Sequence, residues 1–140
     1  VPLNIERLRK NLKGFEKRYE LRECAIGIKE GQFDFAFEDT GRYGGLVKGG
    51  APYFSKWNQE KIITVKVFSA NKVLEDVLSR HKSVDILKID VEGYENQILS
   101  HLKKNILSRL ERIYAETSND QTMPGFFSES SSGLTRYYRF

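Results

Sequence analysis

Cysteine, histidine and methionine are nearly missing from this chain. One cysteine, Cys24, stands among 140 residues; it can neither close an internal disulfide nor build a cysteine-based zinc site, so a disulfide-stapled secreted mini-protein and a zinc finger are both excluded. The expected setting is reducing and cytoplasmic. The two histidines, His81 and His101, have no second ligand at i+4, and both read as surface residues rather than metal ligands. No metal site is expected. No apolar run exceeds five residues, against the roughly 20 that a membrane helix needs, and no charged-then-apolar leader opens the chain. A soluble domain without membrane contact is expected. Met123 is the sole methionine, so Val1 does not read as a translation start, and the expected parent is a longer or processed protein.

What is present, 39% hydrophobic and 30% charged residues, fits a single domain over residues 1–140 with one core. The formal charge is +4, and residues 1–18 account for all of it, with Arg7, Arg9, Lys10, Lys13, Lys17 and Arg18 against Glu6 and Glu16. A basic patch confined to one helix suits nucleic acid or phosphate. At about 100° per residue, however, Lys10, Lys13 and Lys17 fall together opposite Ile5, Leu8, Leu12 and Phe15. An ordinary solvated helix face is the favoured reading, and nucleic acid is disfavoured as a partner.

Along the chain, Asn4 and Gly14 are cap residues bounding a helix whose apolar face is expected to meet a core. Tyr19–Ile28 reads as a strand, Lys29–Gly31 as a turn, and Phe33, Phe35 and Phe37 alternate with polar residues as a strand antiparallel to a neighbour. Gly41–Gly50 holds five glycines and reads as a hairpin connection or a substrate lid; residues 51–60 show no period. Ile62–Phe68 is a β-branched strand, and Val73, Leu74, Val77 and Leu78 mark a short helix capped by Ser69 or Asn71. Val84–Asp90 then reads as a strand, Ile98, Leu99, Leu102 and Ile106 as one helical face, and Ile113–Thr117 as a second strand. Such a unit needs a right-handed crossover between parallel strands. In the tail, Ser128–Ser132 reads as a loop and Thr135–Phe140 as an edge strand.

The chemistry concentrates after Val84. In Val84-Asp-Ile-Leu-Lys-Ile-Asp-Val-Glu-Gly93 the strand period of two puts Lys88 and Asp90 on one side, with Glu92 following as the chain turns at Gly93. A lysine and two carboxylates thus converge at the carboxyl end of a strand, where open parallel sheets bind ligands. The competing reading is structural: Asp90 caps the helix near Gly93 while Lys88 extends to water. Cys24, beside Ala25 in the earlier strand, reads as a buried inert thiol.

The run Val84–Leu99, VDILKIDVEGYENQIL, resembles the signature of the FkbM-type methyltransferases, in which I-D-L-L-K-I-D-V-E-G-x-E precedes an apolar helix. Flanking segments agree. Val73-Leu-Glu-Asp-Val-Leu78 resembles the short helix before the signature, and Ile113-Tyr-Ala-Glu116 the following strand with its terminal acid. Upstream, Cys24-Ala-Ile-Gly-Ile-Lys-Glu-Gly31 is similar to the family's A-L-G-x-x-x-G strand and turn, and Val1–Asn11 to its P-x-P-x-N-x-x-x-L-x-x-N helix. Order and spacing hold over residues 1–120.

The resemblance implies an S-adenosylmethionine-dependent O-methyltransferase acting on a hydroxyl of a sugar, glycan or polyketide-like metabolite. The fold it implies is α/β and Rossmann-like: a largely parallel sheet with helices on both faces and an antiparallel hairpin. The family's glycine-rich G-x-N-x-G turn and its ribose-binding acid lie upstream of the helix matching residues 4–13, so the expected fold is an incomplete class I methyltransferase, truncated at its N-terminus. The loop at Gly41–Gly50 does not replace that turn, because no helical period follows it. By residue, Asp90 is implied to face the methyl donor or the acceptor hydroxyl, Glu92 to stand beside it, and Lys88 to hold Asp90 ionised. Ala25 and Ile26 are implied to flank the adenine ring, with plain core packing as their alternative. The competing function is a non-enzymatic methyltransferase-like fragment that binds a partner or contacts nucleic acid. Loss of a neighbouring strand also predicts a homodimer through an exposed sheet edge.

Overall fold

The computed structural model describes residues 1–41, 44–47, 61–91, 93–117 and 122–140. They form two compact units, Val1–Ala25 with Gln32–Lys66, and Ile26–Gly31 with Val67–Phe140. The first opens with α1, Pro2–Asn11, which starts on a proline in its first turn rather than on an Asn4 cap. Proline suits that place because its fixed φ is helical and its missing N–H has no partner there. Asn4 instead donates from Nδ2 to the Gly41 carbonyl at 2.6 Å. Gly14, at φ +93°, supplies the left-handed turn beyond the helix.

Contrary to expectation, α1 buries no residue, and Leu3 and Leu8 are each 38% exposed. Periodicity shows which face would be buried; a neighbour is needed to bury it. The expected strand Tyr19–Ile28 contracts to β1, Ala25–Gly27. A 3-10 turn at Glu16–Arg18 precedes it, and Arg22 pairs with Glu20. The phenylalanine strand is β2, Gly31–Phe37, antiparallel to β3, Gly44–Leu46, with Phe35 opposite Leu46 and Phe37 opposite Gly44. Part of the glycine-rich loop is therefore a hairpin strand. A Cβ on Gly44 would lie 2.6 Å from the Phe35 ring, so any side chain there would have to displace that ring. β4, Lys61–Ser69, completes a sheet of order β1-β4-β2-β3.

In the second unit α2, Ala70–Arg80, is capped by Ser69, whose hydroxyl accepts from the Lys72 amide at 3.2 Å. Its far end is gathered by the Arg109 guanidinium, which donates to the carbonyls of Leu78, His81 and Lys82. A cation favours the negative end of a helix dipole. β5, Leu87–Ile89, is shorter than expected; Val84 makes only an isolated parallel bridge to Leu110. The single helix expected after it is two, α3, Glu95–His101, and α4, Lys104–Leu107. Asn71 helps the break to be tolerated: its side chain donates to the His101 carbonyl at 2.7 Å and accepts from the Lys103 amide at 3.0 Å, satisfying one carbonyl and one amide of those the break sets free. The bend still buries Leu102, Ile106 and Leu107.

β6, Arg112–Ala115, pairs with β5 in parallel, as the strand–helix–strand pattern requires. The tail then departs from the expectation of a largely parallel sheet. β7, Phe126–Ser131, and β8, Leu134–Arg139, form a hairpin closed by two residues, Ser132 at φ +53° and Gly133 at φ +77°. Two positive φ values are the turn geometry whose twist suits a two-residue hairpin, which makes the pair antiparallel. β8 pairs antiparallel with β6, giving the order β5-β6-β8-β7. Thr135–Phe140 is thus no edge strand: β8 lies inside the sheet, and the serine-rich run read as a loop is the edge strand β7. A polar, exposed sequence is what an edge strand carries.

The structure is therefore α/β with mixed, mostly antiparallel pairing. The core of the second unit joins Leu74, Leu78, Ile98, Leu99, Ile106, Leu110, Ile113, Ala115 and Tyr137 in one cluster. Register places Ile89, Ala115 and Thr135 on that face of the sheet, and Lys88, Tyr114 and Arg136 on the other. The latter three lie outside the buried core. Among the described residues no helix is long and apolar enough to cross a membrane.

Candidate functional site

Lys88 and Asp90 stand at the carboxyl end of β5, two residues apart on one side of the chain. Their side chains form a direct ion pair. The hydrogen bond from Lys88 holds the Asp90 carboxyl below the ordinary carboxylate range; partial burial opposes this, and a hydrogen bond with the Glu116 side chain adds to it. Reciprocally, the bond to Asp90 holds the Lys88 ammonium above its usual value. Glu116 follows β6, the parallel partner of β5, and its amide donates to the Ile89 carbonyl at 3.3 Å. The ends of two adjacent parallel strands thus bring one lysine and two acids together.

Beside them lies a cavity of about 240 Å³ lined by Ile26, Ala70, Val73, Leu74, Leu87, Lys88, Ile89, Asp90, Val91 and Ile98. Apart from Lys88 and Asp90 its wall is apolar. Ligand pockets usually measure about 300–1,000 Å³, so this one holds part of a nucleoside-linked donor rather than the whole of it. For S-adenosylmethionine the apolar lining fits an uncharged part; no glycine-rich strand-to-helix turn among the described residues cradles a charged amino-acid end.

Of the residues singled out in the sequence, Lys88, Asp90 and Ile26 are brought to this one cavity. Ala25 is half-buried at the start of β1, belongs to the first unit, and is not among the lining residues. Glu92 lies outside the described residues. The capping alternative for Asp90 does not hold: α3 begins at Glu95 with Tyr94 as N-cap and no side-chain cap bond. His81 and His101 are exposed. Cys24 is half-buried, and burial pushes its thiol up.

Two residues escaped the sequence reading as site members. Glu116 was visible only as a strand-terminal acid, because the parallel register that sets it beside Asp90 is a tertiary fact. Glu95 is buried, 3% exposed; its Oε1 accepts from the Val91 amide and its Oε2 from the Gly93 amide, both at 2.9 Å. Its signal was the acid three residues after Glu92 in the signature run.

No curated protein and no solved structure matches the chain. The family model described as the Methyltransferase FkbM domain matches residues 1–130, across the cavity, the charged strand end and both of its parallel strands. The chain belongs to the FkbM methyltransferase family.

Proposed function

We propose that this chain serves S-adenosylmethionine-dependent methyl transfer to oxygen, with a hydroxyl of a sugar, glycan or polyketide-like metabolite as acceptor. The observation that carries the reading is the Lys88–Asp90 pair set against an apolar cavity at the end of a parallel ladder. When bound, the donor supplies an electrophilic methyl group on a sulfonium. Displacement at that carbon depends mainly on alignment, and the acceptor hydroxyl must lose its proton as the new C–O bond forms. Asp90 takes that proton. Lys88 keeps the carboxylate ionised and ready, and its ammonium stays paired to it at neutral pH. Ile26 flanks the adenine ring; Val73, Leu74 and Ile98 keep water from the donor. Glu116 adds a second acid beside Asp90. The described fold reads as the part of a class I methyltransferase that carries this end of the sheet. Among the described residues β5 is an edge strand of its sheet, and that edge supports pairing with a second copy, since unpaired strand edges recruit other strands.

The test is transfer of an isotopically labelled methyl group from S-adenosylmethionine, supplied at millimolar concentration because the cavity is small, to a set of sugars and glycans. The expected product is an alkali-stable methyl ether. Label on nitrogen or on a carboxylate would overturn the reading.

A further inference from the structure

Glu95 sits in the first turn of α3, yet its hydrogen bonds do not serve that helix. A glutamate capping its own helix turns its oxygens to the amides at the helix start; Glu95 reaches backward, to Val91 and Gly93. A buried carboxyl group is costly unless its oxygens are hydrogen-bonded, and here both are used on the turn that follows Asp90. The Val91 nitrogen lies in the peptide plane that begins at the Asp90 carbonyl carbon, and a peptide is planar. Holding that nitrogen therefore fixes ψ of Asp90. On the other side, the Ile89 carbonyl accepts from the Glu116 amide while Ile89 stands in register with Ala115, which fixes the plane entering Asp90. Asp90 is thus the one residue between two anchored peptide planes. Gly93, at φ +97°, gives the chain the turn that lets one side chain reach two amides.

We propose that Glu95 is a positioning residue for Asp90, acting through the Asp90–Val91 peptide plane, and that its two bonds bracket position 92 in the sequence. The proposal deepens the reading of Asp90 as proton acceptor and rests on it for its catalytic meaning. Loosening the plane lets the carboxylate leave Lys88, while Lys88 and Glu116 themselves are unchanged.

The experiment is nuclear magnetic resonance on the 140-residue chain: the pH titration of the Asp90 carboxyl carbon, together with amide exchange at Val91 and Gly93, in wild type, Glu95→Gln and Glu95→Ala. In Glu95→Ala the Asp90 titration moves up toward the ordinary carboxylate value, and the two amides exchange about tenfold faster. Glu95→Gln retains one acceptor oxygen and falls between. An Asp90 titration unchanged from wild type in the variants, whatever happens to melting temperature or exchange, overturns the proposal and leaves Glu95 a purely structural residue. If Glu95→Ala does not fold, the titration of Glu95→Gln decides alone. The readout needs no turnover, so failure of the proton-acceptor reading, judged on Asp90→Asn, is distinguishable from failure of this one.

Discussion

α1 and α2 are helices of nearly equal length, 10 and 11 residues, each with apolar residues at helical spacing. α2 buries Ala70, Leu74 and Leu78, whereas α1 buries none. The difference lies in the surroundings. α2 begins on a satisfied serine cap, ends on an arginine that collects three carbonyls, and joins a continuous core. α1 has neither a side-chain cap nor a buried face. An apolar stripe stabilises only where something covers it; among the described residues the second unit holds most of the buried hydrophobic side chains and, with them, the rigid support that a charged site requires.

The sharpest way to break this comparison is a matched pair of truncations. Leu110→Ala, at a fully buried position, should lower unfolding stability by about 2–5 kcal/mol. Leu8→Ala on α1 should cost less than about 1 kcal/mol, because little area returns to water. Urea denaturation of the two variants measures both, and equal losses would show that α1 is buried after all. Next in size, Arg109→Ala removes three charge-assisted hydrogen bonds at the end of α2 and should cost about 2 kcal/mol by the same measurement. A loss of a few tenths would mean that water replaces the guanidinium.

The smallest effect concerns the charged pair. Asp90's carboxyl is held below its ordinary range in the folded chain, so its contribution is present above that range and is lost as pH falls through the lowered value. Lys88 has the opposite sign: its contribution is present below the ordinary lysine value and fades as pH rises through the raised one. Between these limits both are in place, and stability should be flat with respect to this pair. Both groups are substantially exposed, so solvent screening keeps the effect small. Comparing wild type with Lys88→Met from pH 3 to 8 checks it; a steep difference at neutral pH would contradict the assignment.

The strand–helix–strand run from Val84 to Thr117 was legible because β-branched alternation and helical spacing succeed each other without interruption, and a parallel pair followed from the crossover. The α2 cap was legible from residue type as Ser69 or Asn71, and the structure selects Ser69. The break at Leu102 was not, since no glycine or proline marks it and the residue that permits it, Asn71, is about 30 positions away. The tail misled for a similar reason: Ser-Gly at 132–133 is a hairpin signal, but serine-rich flanks look like loop until a partner strand is known. Lys88 and Asp90 could be paired from a two-residue spacing, whereas Glu116 and Glu95 reach the site by register and by a backward-reaching side chain.

The central claim is that Asp90 does chemistry rather than holding the fold. Turnover with S-adenosylmethionine and melting temperature, measured on the same Asp90→Asn sample, test it most directly. Asparagine keeps the shape and most of the hydrogen bonding while removing the basic oxygen, so the account predicts a nearly unchanged melting temperature and a fall in turnover of about 10²-fold or more. Turnover within about threefold of wild type in a folded variant would contradict it and remove Asp90 from the mechanism.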